Sequence, residues 1–276
     1  MLSYRHAFHA GGPADVLKHA VYAFVLRYMT AKARPFYVLD THAGAAWYDL
    51  RSDAARKTGE AERGLLRLWG AAPPWPELLA PYRDVLEEAE KEGVYPGSPL
   101  IARHFLRSKD RLELVELHPT DHAALASAMD GMARVRVVRE DGLALLVSRM
   151  PPPERRAVVL VDPSYEVKTD YELVVAALAR AHRRFANGMY LLWYPVIERE
   201  RATALLEAMR ASGIRAQYRV ELGLAPDAPG RGMTGSGLVI VNPPWTLPAA
   251  VAEGLPWLAG QLGAEGATVA EWLVPE

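Results

Sequence analysis

Cysteine is absent from the 276 residues of the chain. Disulfide bonds and thiolate metal ligands are therefore excluded. The absence also excludes enzymes that need a cysteine nucleophile, such as those that methylate the ring carbons of pyrimidines. Reactions at amino or ring nitrogens, at oxygens or on activated small molecules remain open.

Long apolar runs are also absent. No run approaches the roughly 18 residues that a membrane-spanning helix needs, and residues 1–6 lack the apolar block of a signal peptide. We therefore expect a cytoplasmic protein that does not contact a membrane. Because 50% of the residues are hydrophobic, the chain can form a large core in one α/β domain or in a domain with an insertion.

A strong charge of either sign is missing as well. The formal net charge is −1, so no overall field attracts a polyanion, and any contact with nucleic acid requires local basic patches. The candidate patches lie in three parts of the chain, and each can also be a solvated helix face. They are Arg51, Arg56, Lys57, Arg63 and Arg67; Arg103, Arg107, Lys109 and Arg111; and Arg180, Arg183 and Arg184.

Short apolar segments alternate with helical patterns along most of the chain. The first helix is predicted to begin at Asp15, a plausible N-cap. Strands separated by helices predict a parallel sheet, and the last two strands, joined by a loop without a helix, predict an antiparallel pair at one edge. The predicted strands are 36–40, 112–117, 135–139, 157–161, 189–194, 216–222 and 238–242.

Residues 47–97 interrupt this alternation, because they contain helical patterns and no convincing strand. We predict one domain formed by residues 1–46 and 98–276, with a small helical insertion subdomain at 47–97. Five parallel strands, an antiparallel edge hairpin and interleaved helices describe the class I, Rossmann-like fold of S-adenosylmethionine-dependent methyltransferases. The prediction is a mostly parallel, seven-stranded sheet.

The first strand ends in Asp40-Thr41-His42-Ala43-Gly44, which contains one glycine. Sheets of this kind bind ligands at the carboxyl ends of their strands. A dinucleotide fold would need Gly-x-Gly-x-x-Gly for close approach to a pyrophosphate. A single small-residue turn instead suits the amino-acid part of S-adenosylmethionine, which carries no phosphate.

Two further strand ends carry acids. Glu116 can accept both hydroxyls of a ribose, although a surface glutamate beside a turn gives the same pattern. Asp141 can accept the adenine amino hydrogens of the cofactor, with Gly142 leaving room for the ring, although a helix N-cap followed by glycine fits equally well. Acids at successive strand ends favour the cofactor interpretation more than any one of them does alone.

The fourth strand end carries Asp162-Pro163-Ser164-Tyr165. The lone pair of an adenine amino nitrogen is delocalised into the ring, which makes this nitrogen a poor nucleophile. The Asp162 carboxylate and the Pro163 carbonyl can accept its two hydrogens and direct the lone pair at a methyl donor. Tyr165 can stack on the base, which is worth about 1–3 kcal/mol. The pattern predicts methylation of an exocyclic amino group, with a strand-to-turn proline pair as the alternative.

Two other features are weaker candidates. Asn242-Pro243-Pro244-Trp245 also follows an apolar strand, but it comes after all the parallel units, so we do not expect it to be catalytic. The first nineteen residues are rich in polar side chains, including His6, His9 and His19, yet no metal-ligand spacing repeats there. We predict no metal site and expect this segment to contact cofactor and RNA.

The chain resembles the RlmJ family of large-subunit ribosomal RNA adenine-N6 methyltransferases. The resemblance covers essentially the whole chain, and its motifs are specific to that family. It rests on residues 1–11, 15–19, 39–45, 95–103, 116–119, 192–195 and 237–245. The family pattern Asp-Pro-Pro-Tyr differs here at Ser164, which frees one φ angle and adds a backbone N–H. We expect activity, with loop rigidity and rate as the properties that this exchange affects.

The resemblance also implies residue roles. It makes Asp162 the catalytic acceptor, and it gives Tyr4, His6 and Lys18 contacts with the RNA substrate. The residues that it implies for binding S-adenosylmethionine are His19, His42, Ser98, Glu116, Asp141, Gly142 and Asp162.

These observations give one functional hypothesis. The protein methylates the N6 amino group of a specific adenine in large-subunit (23S) ribosomal RNA, with S-adenosylmethionine as the donor. We expect a monomer that acts on RNA that is free or in an early precursor. The alternatives are a DNA adenine-N6 methyltransferase, a non-catalytic RNA-binding protein that retains the fold and, less favoured, a small-molecule methyltransferase.

Overall fold

The structure is a computed structural model that describes residues 6–92, 94–228, 230 and 232–276. A short 3₁₀ turn at His6–Phe8 precedes the first helix. The helices are α1 (Pro13–Thr30), α2 (Asp53–Thr58), α3 (Glu60–Arg63), α4 (Leu65–Trp69), α5 (Ala80–Glu92), α6 (Ser98–Phe105), α7 (Pro119–Ala128), α8 (Gly142–Arg149), α9 (Asp170–Arg184), α10 (Arg199–Ala211) and α11 (Leu247–Leu262). The strands are β1 (Tyr37–Asp40), β2 (Trp47–Tyr48), β3 (Tyr95–Pro96), β4 (Arg111–Val115), β5 (Val135–Val138), β6 (Ala157–Val161), β7 (Met189–Val196), β8 (Gln217–Gly223), β9 (Gly235–Val241) and β10 (Thr268–Val274).

The first helix begins two residues earlier than the pattern predicts. Pro13 occupies its first position, where the fixed φ of proline is compatible with a helix and the missing N–H leaves no bond unmade. Gly12, and not Asp15, is therefore the N-cap residue. Asp15 lies inside the first turn and is buried, which leaves its carboxylate for contacts within the protein.

The predicted alternation forms one large sheet with the strand order β10-β8-β9-β7-β6-β1-β4-β5. The five strands from β5 to β7 are parallel neighbours, as the interleaved helices predict. Strand β9 runs antiparallel between β7 and β8. The carboxyl ends of the parallel strands therefore all lie on one side of the sheet. The four strand ends identified in the sequence are on that side.

Two details of the predicted sheet are wrong. The sheet has eight strands, because β10 pairs antiparallel with β8 and covers the hairpin that was expected to form the edge. Most side chains of β10 are exposed, and the strand is defined by its pairing with β8. In addition, β2 pairs with β3, where the sequence showed no convincing strand, and each of these has only two residues.

Helices cover both faces of the sheet, which gives three layers. One core lies between the sheet and helices α1, α5, α6, α7 and α11, and the other lies between the sheet and helices α8, α9 and α10. Helix α1 is buried on nearly every side, because it contacts α5, α6 and α11 as well as the sheet. It therefore positions polar side chains next to the strand ends from within the core.

Residues 47–97 contribute helices α2 to α5 between β1 and β4. The two ends of this segment meet, because β2 pairs with β3 and the Gly97 amide donates to the Ala46 carbonyl at 2.7 Å. Leu78, Leu79 and Tyr82 of the segment belong to the core that also contains α1. The assignment of 47–97 as a separate insertion subdomain stays a prediction.

No helix among the residues that the structure describes combines the length and the apolar character that a membrane-spanning segment needs.

A buried acid in the second parallel strand holds three elements together. Glu113 of β4 is 1% exposed, and it accepts a hydrogen bond from the Tyr37 hydroxyl of β1 at 2.8 Å. The Arg149 guanidinium at the end of α8 donates to the same carboxylate at 2.9 Å. Replacing one member of such a network leaves the remaining groups buried without a charged partner.

We therefore expect Glu113→Gln to lower the free energy of unfolding by about 1–3 kcal/mol. Urea unfolding followed by tryptophan fluorescence measures the difference. Glu88→Gln is the matched control, because the Glu88 side chain is 70% exposed beside His104, and its change should stay within about 0.5 kcal/mol. Equal stability of the two variants would contradict the structural role of Glu113.

Candidate cofactor and catalytic site

A cavity of about 260 Å³ opens at the carboxyl ends of β1, β4, β5 and β6. Nearly all the site residues predicted from the sequence line it. They are His6, Lys18, His19, His42, Ser98, Glu116, Asp141, Gly142, Asp162 and Pro163. The parallel sheet thus brings residues from distant parts of the chain to one place.

Two predicted site residues are not in this list. Tyr4 lies outside the described part of the chain. Tyr165 is 5% exposed, and its hydroxyl donates to the Trp193 carbonyl at 2.6 Å. Its ring packs against Tyr171, with ring centroids 4.5 Å apart. Tyr165 therefore points into the core between α9 and β7.

The turn after β1 lines the cavity. The His42 amide donates to Asp40 at 3.2 Å, and the Thr41 hydroxyl donates to the Leu160 carbonyl at the end of β6 at 3.0 Å. Gly44 has a φ of +64°, a conformation that side chains rarely adopt. The single glycine of the sequence motif thus lies where the backbone needs it.

Asp40 is a buried acid with one unpaired oxygen. It is fully buried at the end of β1, and its Oδ2 has no hydrogen-bond partner among the described residues. Burial raises the pKa of Asp40 to about 7, although hydrogen bonds from Ser98 and from the His42 amide oppose the shift. Asp40 was not among the predicted site residues.

Glu116 follows β4 and is tied to two turns. Its Oε2 accepts from the Gly44 amide at 2.8 Å, and its Oε1 accepts from the His118 amide at 2.7 Å. Burial raises the pKa of Glu116, and these two hydrogen bonds oppose the change. Each carboxylate oxygen can accept more than one hydrogen, so Glu116 retains capacity for a pair of hydroxyl donors.

Asp141 and Gly142 begin helix α8. Asp141 is its N-cap, and Oδ1 accepts from the Leu143 and Ala144 amides at 2.8 and 3.1 Å. Its Oδ2 accepts no hydrogen bond from the described residues. A Cβ at Gly142 would lie 2.0 Å from the Thr41 carbonyl oxygen, so the helix can approach the turn after β1 only with glycine there. The N-cap reading of this motif is confirmed, and it leaves Oδ2 for a ligand.

The catalytic candidate Asp162 is held by a buried lysine. Lys18 Nζ lies 2.6 Å from Asp162 Oδ2 and 2.8 Å from Asp15 Oδ1. Asp15 Oδ2 also accepts from His6 Nε2 at 2.9 Å and from the Gly11 amide at 3.0 Å. The network joins the start of the described chain, helix α1 and the end of β6.

The charged groups of this network shift one another's pKa values. Burial raises the pKa of Asp162, and the Lys18 ammonium and His6 oppose the shift. Burial alone would lower the pKa of Lys18, but Asp15 and Asp162 raise it above its ordinary value. Burial would raise the pKa of Asp15, but His6 and Lys18 hold it well below its ordinary range. Lys18 therefore stays charged beside two acids.

Asp15 was not among the predicted site residues. A signal for it was available, because Asp15 precedes Lys18 by three residues and residues at that spacing lie on the same face of a helix. Two of the histidines that line the cavity have a lowered pKa. Burial lowers the pKa of His19 well below its ordinary value and that of His42 to about 4.

The second proline motif lies far from the cavity. Strand β9 is antiparallel to β7, and Val241 pairs with Tyr190 near the amino end of β7. Asn242 to Trp245 therefore follow at the opposite edge of the sheet, where the Asn242 amide donates to the Gly188 carbonyl at 2.7 Å. The expectation that this motif is not catalytic agrees with its position.

Among the described residues, no group of three or more histidine, aspartate and glutamate side chains is arranged to hold a metal ion.

The raised pKa of Asp40 predicts a pH-dependent stability. Between the ordinary carboxyl pKa near 4 and the folded value of about 7, the folded protein binds a proton that the unfolded chain has lost. Stability of the wild type should therefore fall as pH rises through this window, by about 2–3 kcal/mol relative to Asp40→Asn between pH 5 and pH 8. Urea unfolding of both proteins at each pH measures the difference. A difference that stays constant would show that Asp40 ionises normally in the folded protein.

Comparisons with known proteins identify the family of the chain. The family model described as "Ribosomal RNA large subunit methyltransferase D, RlmJ" matches residues 33–274. The ribosomal RNA large subunit methyltransferase J of Escherichia coli (strain K12) is 45% identical over 282 residues, and that of Haemophilus influenzae (strain ATCC 51907 / DSM 11121 / KW20 / Rd) is 43% identical; each alignment covers 100% of both chains.

A solved structure agrees with the sequence relatives. The crystal structure of a protein from Legionella pneumophila str. Philadelphia 1 superposes with a TM-score of 0.89 at 35% identity, covering 96% of this chain and 98% of that one. The predicted class I methyltransferase fold is confirmed, apart from the number of strands. The chain belongs to the RlmJ family of ribosomal RNA large subunit methyltransferases.

Proposed function

We propose that this protein transfers a methyl group from S-adenosylmethionine to the N6 amino group of a specific adenine in large-subunit (23S) ribosomal RNA. The observation that carries the proposal is the Asp162 carboxylate, fixed by Lys18 at the end of β6 in a cavity that also contains Glu116 and Asp141. Membership of a ribosomal RNA methyltransferase family supports the RNA substrate over DNA.

The residues in the cavity fit S-adenosylmethionine. In the order β6-β1-β4-β5, the strand ends present Asp162, the small-residue turn, Glu116 and Asp141. Glu116 has acceptor capacity for two ribose hydroxyls, and the open Oδ2 of Asp141 can accept from the adenine amino group. His19, His42 and Ser98, for which the family resemblance implies cofactor contacts, line the same cavity as the turn after β1. When bound, the cofactor supplies an activated sulfonium methyl group.

Catalysis in this proposal depends on which oxygens are free. Lys18 occupies Asp162 Oδ2, whereas Oδ1 accepts no hydrogen bond from the described residues. Oδ1 and the Pro163 carbonyl can therefore accept the two amino hydrogens of the adenine, which directs the nitrogen lone pair at the methyl donor. Asp162 then takes the proton that the methylated nitrogen releases. The fixed carboxylate positions and polarises the amino group, which is the main task when the donor is already activated.

The RNA substrate meets the cavity from the side of the N-terminal segment. His6 and Lys18 line the cavity and are linked through Asp15, so an RNA contact at His6 is coupled to the catalytic carboxylate. The target adenine must leave its stack to enter, at a cost of a few kcal/mol. We therefore propose a cytoplasmic monomer that acts on free or early precursor RNA, in which the adenine is accessible.

Stacking of Tyr165 on the target adenine remains part of the proposal, and it requires a rearrangement. The hydrogen bond to the Trp193 carbonyl and the contact with Tyr171 hold the ring away from the cavity. Tyr165 also has a φ of +53°, which is unfavourable for a tyrosine. A return to an ordinary φ would accompany release of the ring toward the base.

Asp162→Ala should reduce methylation by at least about 10³-fold, because it removes the acceptor of the amino hydrogens. The assay incubates protein and labelled S-adenosylmethionine with unmodified large-subunit ribosomal RNA, followed by nucleoside mass spectrometry for N6-methyladenosine. Because Asp162 is itself among the residues implied for binding S-adenosylmethionine, the far-ultraviolet circular dichroism spectrum of the variant is used to check that it folds.

Trp245→Ala is the control for this experiment. Trp245 is 81% exposed and belongs to the second proline motif at the opposite edge of the sheet, so its loss should leave methylation unchanged. Full activity of Asp162→Ala would overturn the proposed mechanism. A wild-type protein that binds the cofactor but methylates no ribosomal RNA would overturn the proposed substrate.

Lys18 should set the pH at which activity is lost. Its charge opposes the burial that raises the pKa of Asp162, so Lys18→Met should raise that pKa further. Because the reaction uses the ionised carboxylate, the acidic limb of the kcat profile should move to higher pH in Lys18→Met and stay near its wild-type position in Lys18→Arg. Single-turnover rates at several pH values with saturating RNA measure this limb. An unchanged limb in Lys18→Met would show that Asp162 does not titrate in the reaction.

A further inference from the structure

Three buried side chains form a hydrogen-bonded row beside the cavity. His19 of α1 lines the cavity, and its Nδ1 lies 2.7 Å from the Tyr95 hydroxyl of β3. The Tyr95 hydroxyl lies 3.1 Å from the Tyr82 hydroxyl of α5. His19 is 1% exposed, and both tyrosines are fully buried. No role in the reaction described above uses the two tyrosines.

The direction of the hydrogen bonds in this row follows from counting protons. Each hydroxyl has one proton, and Tyr82 has no hydrogen-bond partner other than Tyr95 among the described residues. If Tyr82 donates to Tyr95, and Tyr95 donates to His19 Nδ1, both hydroxyl protons have an acceptor. In the opposite direction the Tyr82 proton would be buried without an acceptor, which is unfavourable.

The protonation states agree with this arrangement. Burial raises the pKa of Tyr82 and of Tyr95 well above their ordinary values, so both hydroxyls retain their protons. Burial and the nearby Lys18 charge lower the pKa of His19 well below its ordinary value, so its ring is neutral and carries one proton. A neutral ring that accepts at Nδ1 must carry its proton at Nε2.

We infer that Tyr95 is a positioning residue, which fixes the Nε2–H tautomer of His19 so that this ring donates a hydrogen bond to the amino-acid part of S-adenosylmethionine. The inference rests on the proposed function, because it takes S-adenosylmethionine as the ligand of the cavity. It adds a role for β3 and α5, which lie in the segment between β1 and β4. The segment thereby contributes to cofactor binding through an interaction that never reaches the cavity surface.

His19 is assigned to the amino-acid part of the cofactor because other residues of the cavity suit the ribose and the adenine. Glu116 and Asp141, which suit the ribose and the adenine, follow β4 and β5. His19 lies at the other end, where Lys18 of the same helix turn contacts Asp162 after β6. The carboxylate of the methionine part is the strong hydrogen-bond acceptor on that side of the cofactor, and a neutral N–H donor matches it.

The first test measures the tautomer directly. Long-range ¹H–¹⁵N correlation spectra of the wild-type protein should show His19 with a bare Nδ1 and a protonated Nε2. Tyr95→Phe removes the donor and should give a mixture of tautomers. Tyr82→Phe keeps the Tyr95 donor and should retain the wild-type tautomer. A wild-type His19 protonated at Nδ1, or an unchanged tautomer in Tyr95→Phe, would overturn the inference.

The second test measures ligand affinity by calorimetry, without RNA. Tyr95→Phe should weaken S-adenosylmethionine binding by about 3- to 10-fold, the size expected for one misdirected hydrogen bond. It should change the affinity for 5′-methylthioadenosine, which lacks the amino-acid part, by less than about 2-fold. Tyr190→Phe is the matched control, because it removes a buried hydroxyl, bonded to the Phe185 carbonyl, that does not line the cavity.

The outcomes separate this inference from the proposed function. A wild type that binds no S-adenosylmethionine would overturn both. Normal binding of S-adenosylmethionine by wild type and by Tyr95→Phe would overturn the positioning role and leave the proposed function standing. Equal weakening for both ligands would show a general packing defect and would also overturn the specific role of Tyr95.

Discussion

The buried ammonium group of Lys18 is the constraint on which the site depends. A cation in the core is stable only when its charge is matched, and here Asp15 and Asp162 lie within 2.8 and 2.6 Å of it. The pair fixes helix α1 against the end of β6, so the catalytic carboxylate is positioned by a helix and not only by its own loop. The same geometry leaves one oxygen of Asp162 open to the cavity.

The positions of the predicted acids follow from topology, which is why they could be read from the sequence. In a parallel sheet with helical crossovers, every strand ends at the same edge, so the residue after each apolar run is already placed. Glu116, Asp141 and Asp162 needed no more than that rule and the order of the strands. The second proline motif, which begins at Asn242, was rejected by the same rule. Its strand is antiparallel, so the motif lies on the side of the sheet opposite to the cavity.

The features that could not be predicted depend on tertiary packing. Strand β10 has a mostly exposed sequence and is defined by pairing with β8 alone. The unpaired oxygen of Asp40 and the His19–Tyr95 contact arise where helices and loops from separate parts of the chain meet. Tyr165 followed the sequence pattern of a base-stacking ring, but its φ and its contacts with β7 and α9 turn it into the core.

The loop after Asp162 is joined to the lysine through β7. Tyr165 donates to the Trp193 carbonyl, and the Trp193 ring lies 5.8 Å from Lys18 Nζ, within reach of a cation–π attraction. A proline in place of Ser164 would fix φ there and restrict the preceding residue, Pro163. Serine at 164 leaves this φ angle free, so the loop conformation depends more on the buried contacts of the Tyr165 ring. Release of this ring toward an incoming base would therefore alter the surroundings of Lys18, and through it the charge environment of Asp162.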